Sequence, residues 1–135
     1  MTLRIGQSVA HGFTIDAAAM RAFQALSGDM SAVHCDADFA RARGFQDVIV
    51  YGGLMLAQLS RVLGMHVPGT SSMSVRWTID YRGPLYVGEA ATLTLQIVGV
   101  SPGTGLVDSR FTIATAARRV ATGTAQSLLP PEGPA

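Results

Sequence analysis

The chain has 135 residues, 48% of them hydrophobic, and a formal net charge of +1. That length predicts one compact domain with a proper core, and the near-neutral charge leaves no electrostatic footprint for nucleic acid or an anionic membrane. All ten basic residues are arginine, which excludes Schiff-base chemistry on a lysine, and the single cysteine, Cys35, excludes an internal disulfide and fits a reducing compartment. Met1 to Gln7 hold no long apolar run and no later stretch reaches the length of a membrane span, so a cytoplasmic protein without a secretory signal is expected.

Residues 14–27 read as a helix: Asp16 caps or leads the first turn, Met20, Phe23 and Leu26 recur on one face, and Gly28 stops it. The run that follows, Ser-Gly-Asp-Met-Ser-Ala-Val-His-Cys-Asp over residues 27–36, sets Asp29 and His34 five positions apart. A carboxylate and an imidazole brought together there can hold and deprotonate one water, because they titrate on either side of neutral pH. The chain has 9 acidic residues and 3 histidines, and no second cluster combines them so closely. The alternative is that Asp29 caps a turn and His34 is an ordinary partly buried histidine.

Residues 36–43 read as a short helix, with Asp36 and Asp38 at its start, Arg41 and Arg43 near its end, and Gly44 as terminator. Residues 52–64 differ: Leu54, Met55, Leu56, Ala57, Leu59, Val62 and Leu63 cover nearly every face, the mark of a buried helix that something must wrap. The wrapping is read from the second half. Met73, Val75, Trp77, Ile79 and Tyr81 alternate with polar residues, and strand-like runs follow near 89–100, 105–116 and 118–128. The turn-rich stretch 101–105 and the region 117–119 connect them. Residues 130–135 are expected to form a disordered tail, leaving 1–129 as the domain. Strands clustered after helices predict an α+β fold, an antiparallel sheet wrapped around a buried central helix with short overhanging helices. Its open edge predicts a homodimer.

The stretch from Phe23 to Gly52 resembles the MaoC-like, or R-specific, enoyl-CoA hydratases of the hot dog fold. The resemblance lies in Ser27 to Asp36, in Asp38-Phe39-Ala40, Gly44-Phe45 and Val50-Tyr51-Gly52, and continues to Pro68-Gly69 and to Tyr81 through Glu89. It implies that Asp29 and His34 hold the water that adds to carbon 3 of a trans-2-enoyl thioester and relay the proton delivered to carbon 2. It also implies that Gly52 offers its backbone N–H to the thioester oxygen, with Gly53 beside it. A helix start has unpaired N–H groups and a positive dipole end, so a developing enolate is stabilised there whatever the family. The chain departs from the family pattern where Ser31-Ala32 stand for Asn-Pro and where Tyr51 stands for His.

Ser31 and Tyr51 are therefore candidate substrate contacts, the serine hydroxyl being able both to donate and to accept. Ser60 falls where the family has a serine near the acyl pocket; otherwise it bonds its own helix backbone. Met55, Leu56, Leu59 and Met73 line an acyl tunnel or pack the core. Arg76, Arg82, Arg118 and Arg119 meet a coenzyme A phosphate or lie on solvated strand faces. Cys35 and His34 are direct neighbours and face apart, so no thiol dyad is expected; no metal-ligand spacing is present, and no cofactor is implied. His11 and His66 are isolated and receive no role.

The expected function is hydration of trans-2-enoyl-CoA to (R)-3-hydroxyacyl-CoA, or its reverse, with the acyl group on coenzyme A and acyl carrier protein the second possibility. Two rivals are carried forward. A hot dog thioesterase would use Asp29 to direct water at the carbonyl, and a non-catalytic module would only bind acyl thioesters.

Overall fold

The computed structural model describes residues 2–131; the expected tail falls mostly on residues 132–135, outside them. In chain order come β1 (Ser8–Thr14), α1 (Ala17–Ser27), α2 (Ala32–Cys35), α3 (Ala37–Ala42), α4 (Gly52–Met65), β2 (Met73–Tyr81), β3 (Ala90–Ser101), β4 (Leu106–Ala114) and β5 (Arg119–Leu128). The strands form one antiparallel sheet in the order β1-β3-β4-β5-β2. Alternation decides which face is dry: Leu93, Leu95 and Ile97 on β3 and Val107, Phe111 and Ile113 on β4 point inward and are buried. Each such side chain contributes about 1.5–3 kcal/mol relative to exposure. Against this face lie Met55, Leu59, Val62 and Leu63 of α4.

The local signals for the helices translate into caps. Asp16 accepts a hydrogen bond from the Ala19 N–H at 2.8 Å at the start of α1, and Gly28 ends it in the left-handed region, φ 73°. Asp36 accepts from the N–H groups of Asp38 and Phe39 at 3.0 and 3.2 Å, starting α3.

Three expectations need correction. Leu26 is 86% exposed, not on the core face with Met20. Each step of three residues lags the helical repeat by about 60°, so two steps carry Leu26 well around from Met20. Helix α4 is not enclosed all round: Ala57, Ser60, Arg61 and Met65 are exposed, because one sheet covers one side. The expected dry face of β2 is dry only at its middle. Trp77 and Ile79 are half-buried, whereas Met73 is 63% and Tyr81 51% exposed, since β2 is an edge strand and is bulged between Ser74 and Arg76. Strand β1 and helix α2 had not been read from the sequence.

Candidate active site

The turn after α1 builds the carboxylate. Ser27 Oγ donates back to the Phe23 carbonyl at 2.7 Å and accepts from the Asp29 N–H at 3.1 Å, fixing the chain as it leaves Gly28. Asp29 Oδ1 then accepts from the Ser31 N–H at 2.9 Å and from the Ser31 hydroxyl at 2.5 Å, an Asx turn closed twice. These two donors hold the Asp29 carboxyl below the usual carboxylate range, with a smaller contribution from His34. Ser31 thus spends its hydroxyl on Asp29.

His34 lies on α2, and its Nδ1 is 2.7 Å from the Ile49 carbonyl oxygen. A carbonyl can only accept, so Nδ1 carries the hydrogen and the neutral ring keeps its lone pair on Nε2. The strand-like segment supplying that carbonyl is itself tied down: the Ile49 N–H donates to Val33 at 3.1 Å and the Val50 N–H to Leu85 at 2.8 Å.

Tyr51 sits beneath both members of the pair. It is 1% exposed, its hydroxyl donates to the Asp29 backbone carbonyl at 2.6 Å, and its ring stacks on His34 with centroids 4.2 Å apart. Phe23 packs on its other side at 4.7 Å. Burial pushes the Tyr51 phenol up, so it remains a donor. Tyr51, a candidate substrate contact from the sequence, is covered by these neighbours and is off the cavity wall.

Tyr51 also precedes the first residue of α4. That helix has no side-chain cap, and among the described residues the N–H groups of Gly52 and Gly53 have no partner, while Leu54 N–H turns back to the Tyr51 carbonyl at 3.0 Å. The two glycines face different surroundings. A side chain at Gly53 would overlap the Phe23 ring; one at Gly52 would overlap the hydroxyl end of Tyr81.

A cavity of about 500 Å³ opens at this helix end, its wall shared by His34, Gly52, Phe45, Met55, Tyr81 and Arg82. His34 and Gly52 are therefore brought together. Asp29 stands beside His34, partly exposed and off the cavity wall; Gly53 is also off the wall, and Ser60 is exposed further along α4. From the sequence, Tyr81 reads as a strand residue within the resemblance and Arg82 as a phosphate contact or a solvated strand residue, neither as a wall of this cavity. The available signal for Tyr81 was its place at the end of the alternating run on β2.

Arg118 is not free to meet a phosphate. It makes a bidentate pair with Glu89 at 2.7 and 3.0 Å, donates to the Pro84 carbonyl at 3.0 Å, and lies over the Tyr86 ring at 5.2 Å. Tyr86 in turn accepts from the Gln46 N–H at 2.9 Å. This strut joins the two segments, 45–50 and 83–86, that form one side of the cavity.

A single antiparallel sheet curled against one glycine-opened helix is the α+β arrangement of hot dog proteins. The family model described as "MaoC like domain" matches residues 2–125, and the chain belongs to that family. It is 29% identical over 131 residues to an (R)-specific enoyl-CoA hydratase of Rhodospirillum rubrum, spanning 97% of this chain and 91% of that protein. To an (R)-specific enoyl-CoA hydratase of Aeromonas caviae it is 30% identical over 99 residues, 73% of this chain and 74% of the relative. Among solved structures, an (R)-hydratase from A. caviae involved in PHA biosynthesis aligns with a TM-score of 0.89 at 28% identity, covering 96% of this chain and 98% of the neighbour.

Proposed function

We propose that the protein adds water to trans-2-enoyl thioesters to give (R)-3-hydroxyacyl thioesters, and runs the reverse dehydration. The observation that carries this reading is the fixed orientation of His34: its Nδ1–H is occupied by the Ile49 carbonyl, which leaves Nε2 as the base in a cavity shared with the uncapped N–H of Gly52. Asp29 and His34 hold the water between them. As its oxygen bonds to carbon 3, Nε2 takes a proton and the π electrons move onto the thioester oxygen. The N–H of Gly52, at the positive end of α4, stabilises that enolate. The same pair returns a proton to carbon 2 from the same face, so the elements of water are added and no redox equivalent is consumed.

The named relatives and the apolar wall of Phe45 and Met55 support an acyl group carried on pantetheine, with coenzyme A as the carrier. Arg82, at the cavity wall and half-exposed, is held by Asp80 at 3.8 Å and by the Thr122 hydroxyl at 3.2 Å, an exposed pairing that the phosphates of the carrier would exchange for their own charge. The chain acts as a homodimer: β2 leaves an unpaired edge carrying exposed Met73 and Val75, which a second copy would cover.

The test is to follow the conjugated enoyl-thioester absorbance at neutral pH while assaying free thiol. Loss of the chromophore without thiol release supports hydration; thiol release with the chromophore intact would establish the thioesterase instead. Asp29→Asn and His34→Ala should each lower hydration by at least about 100-fold, the usual scale for a positioned acid or base. Wild-type turnover by a folded Asp29→Asn variant would remove Asp29 from the mechanism.

A further inference from the structure

The chain has three tyrosines, and two hydroxyls are engaged: Tyr51 donates to the Asp29 carbonyl and Tyr86 accepts from the Gln46 N–H. The hydroxyl of Tyr81 has no partner among the described residues and stands at the cavity wall, free to donate to a ligand there. Tyr81 ends β2 at the cavity wall, and its phenolic end rests against the Cα of Gly52, so closely that any side chain at Gly52 would collide with it. It therefore shares the mouth of α4 with Gly52, whose N–H has no partner among the described residues.

An enolate oxygen presents more than one lone pair, and a single donor leaves the developing charge only partly satisfied. The next N–H along the helix is not a ready second donor: Gly53 is off the cavity wall and its Cα is covered by Phe23. Leu54 N–H is already bonded to the Tyr51 carbonyl. Among the described residues, the side-chain donor in contact with Gly52 at this helix end is the Tyr81 hydroxyl. Burial pushes its phenol above the ordinary value, so the group is neutral and carries its hydrogen throughout the neutral range.

Building on the hydration reading above, we infer that Tyr81 is a further catalytic residue whose hydroxyl donates the second hydrogen bond to the thioester oxygen, opposite the N–H of Gly52. The absence of a side chain at Gly52 then has two purposes. It lets the thioester approach the backbone, and it leaves room for the phenol to reach the same oxygen. The bond strengthens as charge moves from carbon 3 onto that oxygen, so Tyr81 acts on the rate of the chemical step more than on binding.

Tyr81→Phe keeps the ring and removes only the donor. In the full-length protein it should lower kcat for enoyl-thioester hydration by about 100-fold, with KM changed by no more than about threefold. An optical readout reports the bond directly. A cinnamoyl-CoA analogue bound in the wild-type site should show a red-shifted absorbance, because donors to the carbonyl polarise its conjugated system. That shift should shrink in Tyr81→Phe and persist in Asp29→Asn and His34→Ala, which touch the water and not the carbonyl. Tyr81→Phe with wild-type kcat and a wild-type red shift would overturn the inference while leaving hydration by Asp29 and His34 standing. A wild-type protein that hydrates no enoyl thioester would overturn both.

Discussion

Tyr51→Phe deletes one oxygen atom and tests whether the pair is held from below. The ring is enclosed, so its packing on His34 at 4.2 Å and on Phe23 at 4.7 Å survives the change. What is lost is the 2.6 Å bond to the Asp29 carbonyl, together with a long 3.4 Å contact from the Gln24 amide and a 3.6 Å contact with the Cys35 thiol. A hydrogen bond of this kind has a net value of about 1 kcal/mol, and a buried group left unpaired adds up to about 1 kcal/mol more. Asp29 is partly exposed, so its carbonyl can turn to water and the total stays near 1–2 kcal/mol. For a domain of this size that lowers the thermal midpoint by about 4–8 °C. The carboxylate keeps its Ser31 bonds but loses the anchor of its own backbone, and a displacement of a fraction of an ångström at a reacting group is expected to lower kcat about 10-fold. Urea or thermal unfolding measures the first effect and decay of the enoyl chromophore the second. A variant with the expected loss of stability and unchanged kcat would show that Tyr51 supports the fold without setting the geometry of Asp29; no change in either would refute the clamp altogether.

Ser31→Ala removes one of the two donors that depress the Asp29 carboxyl, so its titration, followed by carboxyl-carbon NMR, should move up in pH, and the acid limb of activity should move with it. An unmoved midpoint would mean that the hydroxyl does not set the charge state of Asp29. Arg118→Ala strands Glu89, whose side chain is 27% exposed, and should destabilise the protein by about 2–3 kcal/mol at neutral pH, less than a fully buried pair would lose. Because the Glu89 carboxyl is lowered in the folded state, its contribution is complete above the ordinary glutamate range and disappears as pH falls through the folded value; the difference between wild type and variant, measured by urea unfolding, should therefore shrink in acid, and a pH-independent difference would exclude the ion pair as its source. Gly53→Ala drives a methyl into the Phe23 ring packed on Tyr51 and should cost about 1–3 kcal/mol, whereas Gly52→Ala meets the half-exposed Tyr81, which can swing aside, and should lose activity with little loss of stability. Equal destabilisation by the two substitutions would contradict this division.

The parts of the fold legible in the sequence are those governed by local periodicity. The alternation on β3 and β4, the caps at Asp16 and Asp36, and the glycine stops at Gly28 and Gly44 all act over a few residues. Strand β1 was not read because its inward side chains are Val9, His11 and Phe13 and its outward positions include Gly12. A histidine interrupts the dry face, and only pairing with β3, some eighty residues later, makes the segment a strand. The burial of α4 was overestimated for the complementary reason: its composition permits enclosure, but the number of layers is a tertiary property. At the candidate site, His34 and Gly52, singled out as residue types at a spacing, meet on one cavity wall, with Asp29 beside His34. The Asx turn of Asp29 and Ser31 could also have been read from the two-residue separation. The position of Tyr51 could not, because a tyrosine before a helix is exposed or buried according to what packs on it, here Phe23 and His34. Tyr81 reaches Gly52 across twenty-nine positions of sequence, and only the return of β2 along the sheet edge makes them neighbours.

The two departures from the family pattern acquire a common physical account. Ser31 and Tyr51 both end their hydrogen bonds on Asp29, one on its carboxylate and one on its backbone carbonyl, and both donate. Neither hydroxyl needs to meet an acyl thioester for Asp29 to be charged and held in place. The group that orients the histidine, the Ile49 carbonyl, comes instead from the chain leading into α4, so the His34 ring and the Gly52 N–H are set by one continuous segment, residues 49–52. In the proposed mechanism, a segment carrying both the base-orienting carbonyl and the anion-stabilising amide fixes the distance between the two halves of the reaction, leaving the apolar wall, with Phe45 and Met55, to vary with the acyl chain.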